Sequence, residues 1–303
     1  MKKAASKLSS WPTLDPEDWP SLRAQAHVML DDMLDHLEHV RSRPVWQPIP
    51  DAVRKSAREP SPRDATALEN VYRDFKGTIL PYATGNTHPG FMGWVHGGGT
   101  PVGMLAEMLA AGLNANLGGR DHMPIEIERE IASWAREWFG FPESASGLFV
   151  TGTSMANLMA VLIARQDALG ERVRSGGLVQ SGCQLCAYTS VSAHGCIARA
   201  LDFAGIGSDA LRLIPTDTLG RMDVAALDAA IRDDRKAGHL PFLVVGTIGA
   251  VDTGAIDNLA VLSRICRKEE LWFHIDGAFG ALAAWSEQLK PRLAGIEQAD
   301  SIG

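Results

Sequence analysis

Several features that would place this chain in a special class of protein are scarce or missing. Four cysteines among 303 residues are too few for a disulfide scaffold, so a reducing cytoplasm is the expected compartment. No apolar run approaches the ~20 residues of a membrane-spanning helix. No apolar segment follows the lysines of the first seven residues, so neither a signal peptide nor a membrane partner is expected. The net charge of −7 supplies no basic field for nucleic acid.

The remaining composition is typical of a folded globular protein. Hydrophobic residues make up 46% of the chain and charged residues 21%, close to the globular average. The length suits one large domain or two ordinary ones. Glycine is enriched, with 30 of 303 residues, and clusters at a few turns. These turns hold most of the candidate functional residues.

The chain is predicted to have two parts. In residues 1–85, apolar residues recur at helical spacing from Leu22 to Val40 and again from Leu68 to Leu80, with a proline-rich connector between. Two such helices bury little on their own, so we expect this segment to dock on the main domain or on a partner subunit. Residues 86–303 are predicted to form that main domain.

Short apolar runs alternate with helical runs from about residue 148 onwards. This alternation predicts an α/β fold with a mostly parallel sheet. Ligands of such sheets bind at the carboxyl ends of the strands. The predicted strands are residues 148–150, 187–189, 211–214, 242–245 and 271–276, and the predicted helices are residues 101–116, 124–139, 155–169, 193–204, 223–236 and 257–268.

The turn from Thr151 to Ser154 follows the first predicted strand and opens a helix. Backbone N–H groups at a helix start, together with the hydroxyls of Thr153 and Ser154 and the flexibility of Gly152, can cradle an anion. A plain helix cap by either hydroxyl is the alternative interpretation.

Two further candidates stand at strand ends. His194 lies where a strand passes into a helix, although a lone histidine can equally be structural or exposed. Asp276 ends an apolar strand, where burial of an acid needs a positive partner, and the alternatives are a solvated strand end or a magnesium ligand. The small residues Gly277 and Ala278 leave room beside it for a flat ring.

Together, these three sites match the parts of pyridoxal 5′-phosphate. The cofactor has a phosphate, an aromatic ring and a ring nitrogen that must stay protonated for the ring to accept electrons. A carboxylate against that nitrogen raises the pKa of the nitrogen. The sequence therefore predicts a site with Asp276 at the ring nitrogen and the turn before Met155 at the phosphate.

Several segments carry a more specific resemblance, which extends over nearly the whole chain. They are His88-Pro89-Gly90-Phe91, residues 124–134, residues 149–165, and residues 245–247, 254–257 and 271–279. They resemble the group II pyridoxal-phosphate-dependent amino-acid decarboxylases, the family of aromatic-amino-acid and glutamate decarboxylases. The resemblance implies the large domain of fold-type I, a homodimer with shared active sites, and release of carbon dioxide from an L-amino acid to leave an amine.

The resemblance also implies roles for individual residues. His194 would stack on the cofactor ring, Asp276 would pair with the pyridine nitrogen, and Ala278 would pack on the opposite ring face. Thr153 and Ser154 would hold the phosphate. His88, Phe91 and Trp94 are the candidates for the substrate end. No metal is expected.

The chain departs from the family pattern in two places. Gly277 stands where the family usually has alanine. The lysine that binds the cofactor in this family lies just beyond a segment resembling Ala299-Asp300-Ser301, and the sequence ends at Gly303. Neither Lys268 nor Lys290 is a convincing substitute. We therefore expect an amino-terminal portion, without the small C-terminal domain, that binds the cofactor weakly and turns over no substrate by itself.

The same residues also fit other classes of protein. A serine hydrolase could use the His96-Gly97-Gly98-Gly99 loop, Ser154 as nucleophile, His274 as base, and Asp252 or Asp257 as the acid. An inactive scaffold that dimerises through residues 1–85 is a second alternative. Cys183 and Cys186 have the spacing of half a zinc site, but no second pair exists, so free thiols are expected.

Overall fold

The computed structural model describes residues 15–118 and 121–303. The expectation of no signal peptide depends on residues 1–14 and lies outside the described residues. Internal contacts divide the chain into two compact units, Met1–Asn114 and Ala115–Gly303. The domain boundary between residues 85 and 86 stays a prediction. No helix within the described ranges is both long and apolar enough to cross a membrane.

The described part of the first unit, residues 15–114, contains four α-helices. Asp18 caps the first helix by accepting a hydrogen bond from the Ser21 N–H at 3.0 Å, and Thr100 caps the fourth by accepting from the Gly103 N–H at 2.9 Å. The helices are α1 (Trp19–Glu38), α2 (Asp51–Ser56), α3 (Leu68–Asp74) and α4 (Pro101–Leu113), with 3₁₀ turns at Val40–Ser42 and Leu80–Tyr82 and a π-helical turn at Phe75–Ile79.

The second unit is an α/β structure with a five-stranded sheet. The sheet order is β2-β1-β3-β4-β5, and all neighbouring strands are parallel, as predicted. The strands are β1 (Leu185–Ser190), β2 (Leu211–Ile214), β3 (Leu240–Thr247), β4 (Trp272–Asp276) and β5 (Ser301–Ile302). The helices are α5 (Met123–Phe139), α6 (Thr153–Leu169), α7 (Arg172–Gly176), α8 (Cys196–Phe203), α9 (Val224–Lys236) and α10 (Leu259–Glu269). Short 3₁₀ turns lie at Leu178–Gln180, Ser208–Ala210, Ala281–Trp285, Lys290–Leu293 and Ile296–Gln298.

Both faces of this sheet are covered by helices. On one face, α6 and α8 pack against side chains such as Ala187 and Val245. On the other face, α9 and α10 pack against side chains such as Val244 and Ile275. The continuous burial of the central strands reflects this double cover, which is the rule for parallel sheets. Side chains that alternate along β4 therefore point into two different layers.

One predicted strand is wrong. Residues 148–150 do not join the sheet, and both Leu148 and Phe149 are 60% exposed. The Phe149 N–H donates to the Glu128 carboxylate at 3.0 Å instead of to a neighbouring strand. The short apolar run predicts a strand, but β2 and β5 form the edges of the sheet and this segment pairs with neither.

Candidate active site

The carboxyl end of the sheet holds a buried acid at the end of β4. The parallel register places Thr247, the last residue of β3, opposite Asp276, the last residue of β4. Asp276 is only 6% exposed, and within the described ranges neither lysine nor arginine pairs with its carboxylate. The two oxygens accept from neutral donors, Oδ2 from the Asn157 side chain at 3.1 Å and Oδ1 from the Ala278 N–H at 3.3 Å. The described part of the chain thus buries this carboxylate without supplying a cation.

An open helix end lies close to this acid. Helix α6 begins at Thr153 after Gly152, whose φ of 77° favours glycine, and a Cβ on Gly152 would meet nothing within 4 Å. The first N–H groups of a helix have no acceptor within the helix. Those of Thr153 and Ser154 have none elsewhere in the described part of the chain. This helix terminus can therefore receive an anion from the open side.

Cys196 links the predicted residues to one another. Its thiol, at the start of α8, accepts from Asn157 Nδ2 at 3.2 Å, while its N–H donates to His194 Nδ1 at 3.3 Å. Ser154 lies one turn before Asn157 on α6. Burial raises the pKa of this thiol. Because Asn157 also contacts Asp276, the structure brings Ser154, His194 and Asp276 into one neighbourhood.

The remaining predicted residues are placed as follows. Thr153 opens α6, and Ala278 is exposed just after β4. The substrate candidates belong to the first unit, where the rings of Phe91 and Trp94 pack edge to face at 5.6 Å and His88 Nδ1 accepts from the Gly90 N–H at 2.8 Å. Their contact with a substrate stays a prediction.

The structure does not assemble the alternative hydrolase triad. His274 is buried, and its ring nitrogens lie 2.8 Å from Asn157 Oδ1 and 2.9 Å from Ser301 Oγ. Asp257 accepts from two backbone N–H groups, at 2.6 and 2.8 Å. Within the described ranges, His274 contacts neither Ser154 nor an acid, so it cannot serve as the base of a triad.

The other polar residues discussed from the sequence lie elsewhere. Lys268 is exposed beside Glu269 on α10, the helix that covers the opposite sheet face, and Lys290 is also exposed. All four cysteines are free thiols, as predicted, and Cys183 is the exposed one.

Sequence reasoning missed two residues of the site. Asn157 is fully buried one turn into α6, and Thr247 has a buried hydroxyl without a hydrogen-bond partner among the described residues. Asn157 is the polar residue within an otherwise apolar helical run, which is a detectable signal. The Thr247 hydroxyl is unsatisfied beside Asp276, and a buried polar group in that state indicates a missing ligand.

Gly277 gives a direct test of how tightly this corner is packed. A Cβ at this position would lie 2.7 Å from the Ala281 Cβ and 3.2 Å from the Gly303 carbonyl oxygen. We expect Gly277→Ala to lower the free energy of unfolding by about 1–3 kcal/mol, because one methyl group overfills the contact. Urea denaturation measures this. Gly112→Ala, where a Cβ meets nothing within 4 Å, is the matched control, and equal midpoints for both variants would contradict the expectation.

The charge pattern of the site restricts the ligands that fit. An open helix N-terminus suits an anion, whereas a buried acid that no cation among the described residues pairs with suits a positively charged ring nitrogen. Pyridoxal 5′-phosphate carries both groups, and the unsatisfied Thr247 hydroxyl leaves a further donor for it. The fold and the site therefore define an α/β protein of the class that binds this cofactor.

Comparison with known proteins gives the family directly. Residues 50–303 match the pyridoxal-dependent decarboxylase conserved domain, and the chain belongs to this family. Membership confirms the predicted fold class and identifies pyridoxal 5′-phosphate as its cofactor.

Individual relatives agree with this assignment. The chain is 33% identical over 286 residues to an aromatic-L-amino-acid decarboxylase of Bacillus atrophaeus, covering 93% of this chain and 57% of that protein. It is 28% identical to a phenylacetaldehyde synthase of Arabidopsis thaliana, covering 95% of this chain and 60% of that protein. The crystal structure of Catharanthus roseus tryptophan decarboxylase in complex with L-tryptophan superimposes with a TM-score of 0.85 and 27% identity, covering 95% of this chain and 63% of that chain. The chain thus spans about three fifths of these relatives.

Proposed function

We propose that the chain provides the cofactor pocket of a pyridoxal 5′-phosphate-dependent L-amino-acid decarboxylase, which releases the α-carboxyl group as carbon dioxide and yields an amine. The observation that carries this proposal is the buried Asp276 carboxylate, which lacks a cationic partner among the described residues. A buried unpaired charge is costly unless a ligand neutralises it. A protonated pyridine nitrogen would do so.

Each residue of the site has a distinct role in the proposal. Asp276 holds a proton on the ring nitrogen by its negative charge. Thr153 and Ser154 bind the phosphate with their N–H groups and hydroxyls. His194 stacks on one ring face, and Ala278 leaves room on the other. When bound, the cofactor supplies a ring that accepts the electron pair left on the α-carbon as carbon dioxide departs.

The substrate we propose is an aromatic L-amino acid. The relatives named above include an aromatic-L-amino-acid decarboxylase and a tryptophan decarboxylase. The first unit offers the rings of Phe91 and Trp94, which already pack against each other and could accept a third ring.

We further propose a homodimer with shared active sites, located in the cytoplasm. Helix α4 exposes several large apolar side chains, among them Val102, Leu109 and Leu113, and a second copy of the chain would cover them. Four free thiols support a reducing compartment.

The proposal is tested by cofactor binding and by product analysis. We expect pyridoxal 5′-phosphate to bind the chain saturably, with a shifted visible absorbance. We also expect protein expressed from the whole gene to release carbon dioxide from aromatic L-amino acids in preference to acidic ones. An amine product would match the aromatic-L-amino-acid decarboxylase, whereas an aldehyde product would match the phenylacetaldehyde synthase. Absence of cofactor binding, together with labelling of Ser154 by a fluorophosphonate, would overturn the proposal in favour of a hydrolase.

A further inference from the structure

Asn157 uses both of its amide hydrogens and its amide oxygen around Asp276. Its exposed fraction is 0%, its amide nitrogen donates to Asp276 Oδ2 at 3.1 Å and to Cys196 Sγ at 3.2 Å, and its amide oxygen lies 2.8 Å from His274 Nε2. A carboxylate can only accept, so the amide nitrogen must face Asp276. The amide oxygen is thereby directed at His274.

This orientation determines the tautomer of His274. An amide oxygen only accepts, so Nε2 must carry a hydrogen. Burial lowers the pKa of His274 to about 4, and the ring is therefore neutral near pH 7 with a single N–H. Nδ1 is then an acceptor, and it takes its hydrogen bond from the Ser301 hydroxyl at 2.9 Å.

Along this series of hydrogen bonds, only one assignment of donors and acceptors is possible. Ser301 Oγ accepts from the Trp272 indole N–H at 2.9 Å while its own hydrogen points to His274. Indole nitrogen can only donate, and the Asp276 carboxylate at the far end can only accept. Every group between these ends has its donor and acceptor roles set by its neighbours.

A neutral partner leaves the charge of Asp276 available to a ligand. An arginine or lysine in the place of Asn157 would hold the carboxylate equally well but would neutralise it. Because the amide donates without a charge, the carboxylate is oriented while its full attraction for a cationic ring nitrogen is retained.

We propose that Asn157 is a positioning residue for Asp276, and that Trp272, Ser301 and His274 form a relay that holds Asn157 in the orientation Asp276 requires. The inference rests on the proposed function, since Asp276 is its endpoint. It assigns to Asn157 and Ser301 an effect on the protonation of the cofactor ring nitrogen, although neither residue is placed against the ring.

The first test reads the relay without any cofactor. Nitrogen NMR of the chain with isotope-labelled histidine reports the tautomer of His274. We expect the neutral Nε2–H form in the native chain and in Ser301→Thr, which keeps the hydroxyl. Ser301→Ala removes the hydrogen bond to Nδ1 and should shift the Nδ1 resonance, while the hydrogen stays on Nε2 because Asn157 still accepts it. A native chain with Nδ1–H, or identical spectra for Ser301→Thr and Ser301→Ala, would overturn the relay.

The second test reads the protonation of the bound ring. Pyridoxamine 5′-phosphate needs no covalent bond to a lysine, and its absorbance reports the pKa of its ring nitrogen. We expect Asn157→Leu to lower that pKa by about one unit, which is a tenfold change in the protonation equilibrium, and Ser301→Ala to lower it by less. Ser263→Ala, which loses a part-buried hydrogen bond of 2.9 Å to Gln298, is the control and should leave the ring-nitrogen pKa unchanged.

These outcomes separate the relay from the proposed function. Equal ring-nitrogen pKa values in Asn157→Leu, Ser301→Ala and Ser263→Ala would contradict the positioning role. If Asn157→Leu fails to fold, the ring-nitrogen pKa values of Ser301→Ala and Ser301→Thr test the positioning role instead. If the native chain does not bind pyridoxamine 5′-phosphate, the proposed function fails, and the tautomer of His274 alone supports or overturns the relay.

Discussion

Replacement of Asp276 by asparagine is expected to weaken binding of pyridoxamine 5′-phosphate by about 10- to 100-fold, because a charge-assisted hydrogen bond is worth about 1.5–3 kcal/mol. The asparagine side chain is nearly the same size and keeps an oxygen toward Asn157. What it loses is the negative charge that attracts a protonated ring nitrogen. The absorbance titration described above measures the affinity.

The same substitution should have the opposite effect on the ligand-free chain. The Asp276 carboxylate is buried without a cation among the described residues, so its removal relieves a desolvation cost. We expect the free energy of unfolding without cofactor to stay the same or rise. With cofactor present, the native chain should gain the stability that ligand binding adds, and Asp276→Asn should gain much less.

Asp300→Asn is the matched control for this prediction. The Asp300 carboxylate accepts from the Phe273 N–H at 2.7 Å, near the start of β4. Asp300→Asn therefore removes an equal charge at the opposite end of the strand that Asp276 ends. Its affinity for pyridoxamine 5′-phosphate should remain within about twofold of the native value. Similar losses in Asp276→Asn and Asp300→Asn would show that the effect is general and not specific to the site.

The second large effect is expected at a partly buried ion pair on the sheet face that α9 and α10 cover, where Asp234 is the buried partner. Arg212 and Tyr188 are paired in register on neighbouring strands, and both donate to Asp234, at 2.8 Å for each of the closest contacts. His239 Nδ1 lies 2.9 Å from the same carboxylate. Burial alone would raise the pKa of Asp234, but the hydrogen bonds from Arg212, His239 and Tyr188 outweigh it and hold the pKa well below its usual range.

We expect Arg212→Met to lower the free energy of unfolding by about 3–5 kcal/mol, because it leaves the Asp234 carboxylate buried without its cation. Replacing both partners with apolar residues, Arg212→Met with Asp234→Leu, should recover much of the loss. Arg232→Met breaks an exposed i,i+4 pair with Asp228 and should change little. Urea denaturation of the native chain and the three variants measures these free energies of unfolding. A double variant no more stable than Arg212→Met would contradict the expectation.

The pH dependence of this pair has a definite sign. A carboxyl whose pKa is lower in the folded state stabilises the fold above its unfolded pKa of about 3.9. This stability is lost as the pH falls through the lower folded value. The difference between the native chain and Asp234→Asn should therefore be largest near neutral pH and shrink below about pH 4.

Arg212 also explains why three potential metal ligands lie together here. Cys186, Asp234 and His239 place ligand atoms within 4.8 Å of one another. The Arg212 guanidinium lies 3.1 Å from Cys186 Sγ and 3.4 Å from His239 Nδ1. A metal ion would have to displace this cation.

The sequence predicted the alternating part of the fold well because the central strands β1, β3 and β4 are buried on both faces and form distinct apolar runs. β1 to β4 and helices α6 to α10 differ from their predicted bounds by a few residues, apart from the short α7, which was not predicted. The run at residues 148–150 has the same composition but no neighbouring strand, and periodicity cannot detect a missing partner. β5 has two residues and carries too little pattern to be found.

The site was predicted unevenly for a similar reason. Asp276 and Ser154 are visible because they stand at strand and helix ends next to glycines. Asn157 and Ser301 belong to segments 144 positions apart in the numbering, and only the fold brings both to His274. Their roles depend on which atoms face each other, which no spacing rule supplies.

Helix α6 carries two parts of the candidate site on one rigid element. Its first residues have N–H groups that can bind an anion, and Asn157, one turn later, donates a hydrogen bond to Asp276 at the end of β4. One residue inserted between Ser154 and Asn157 would rotate the amide by about 100° around the helix axis, away from the sheet. In the proposed pocket, this short stretch of helix sets the distance between the phosphate end and the ring-nitrogen end of the ligand. We therefore expect an insertion or deletion within it to abolish cofactor binding.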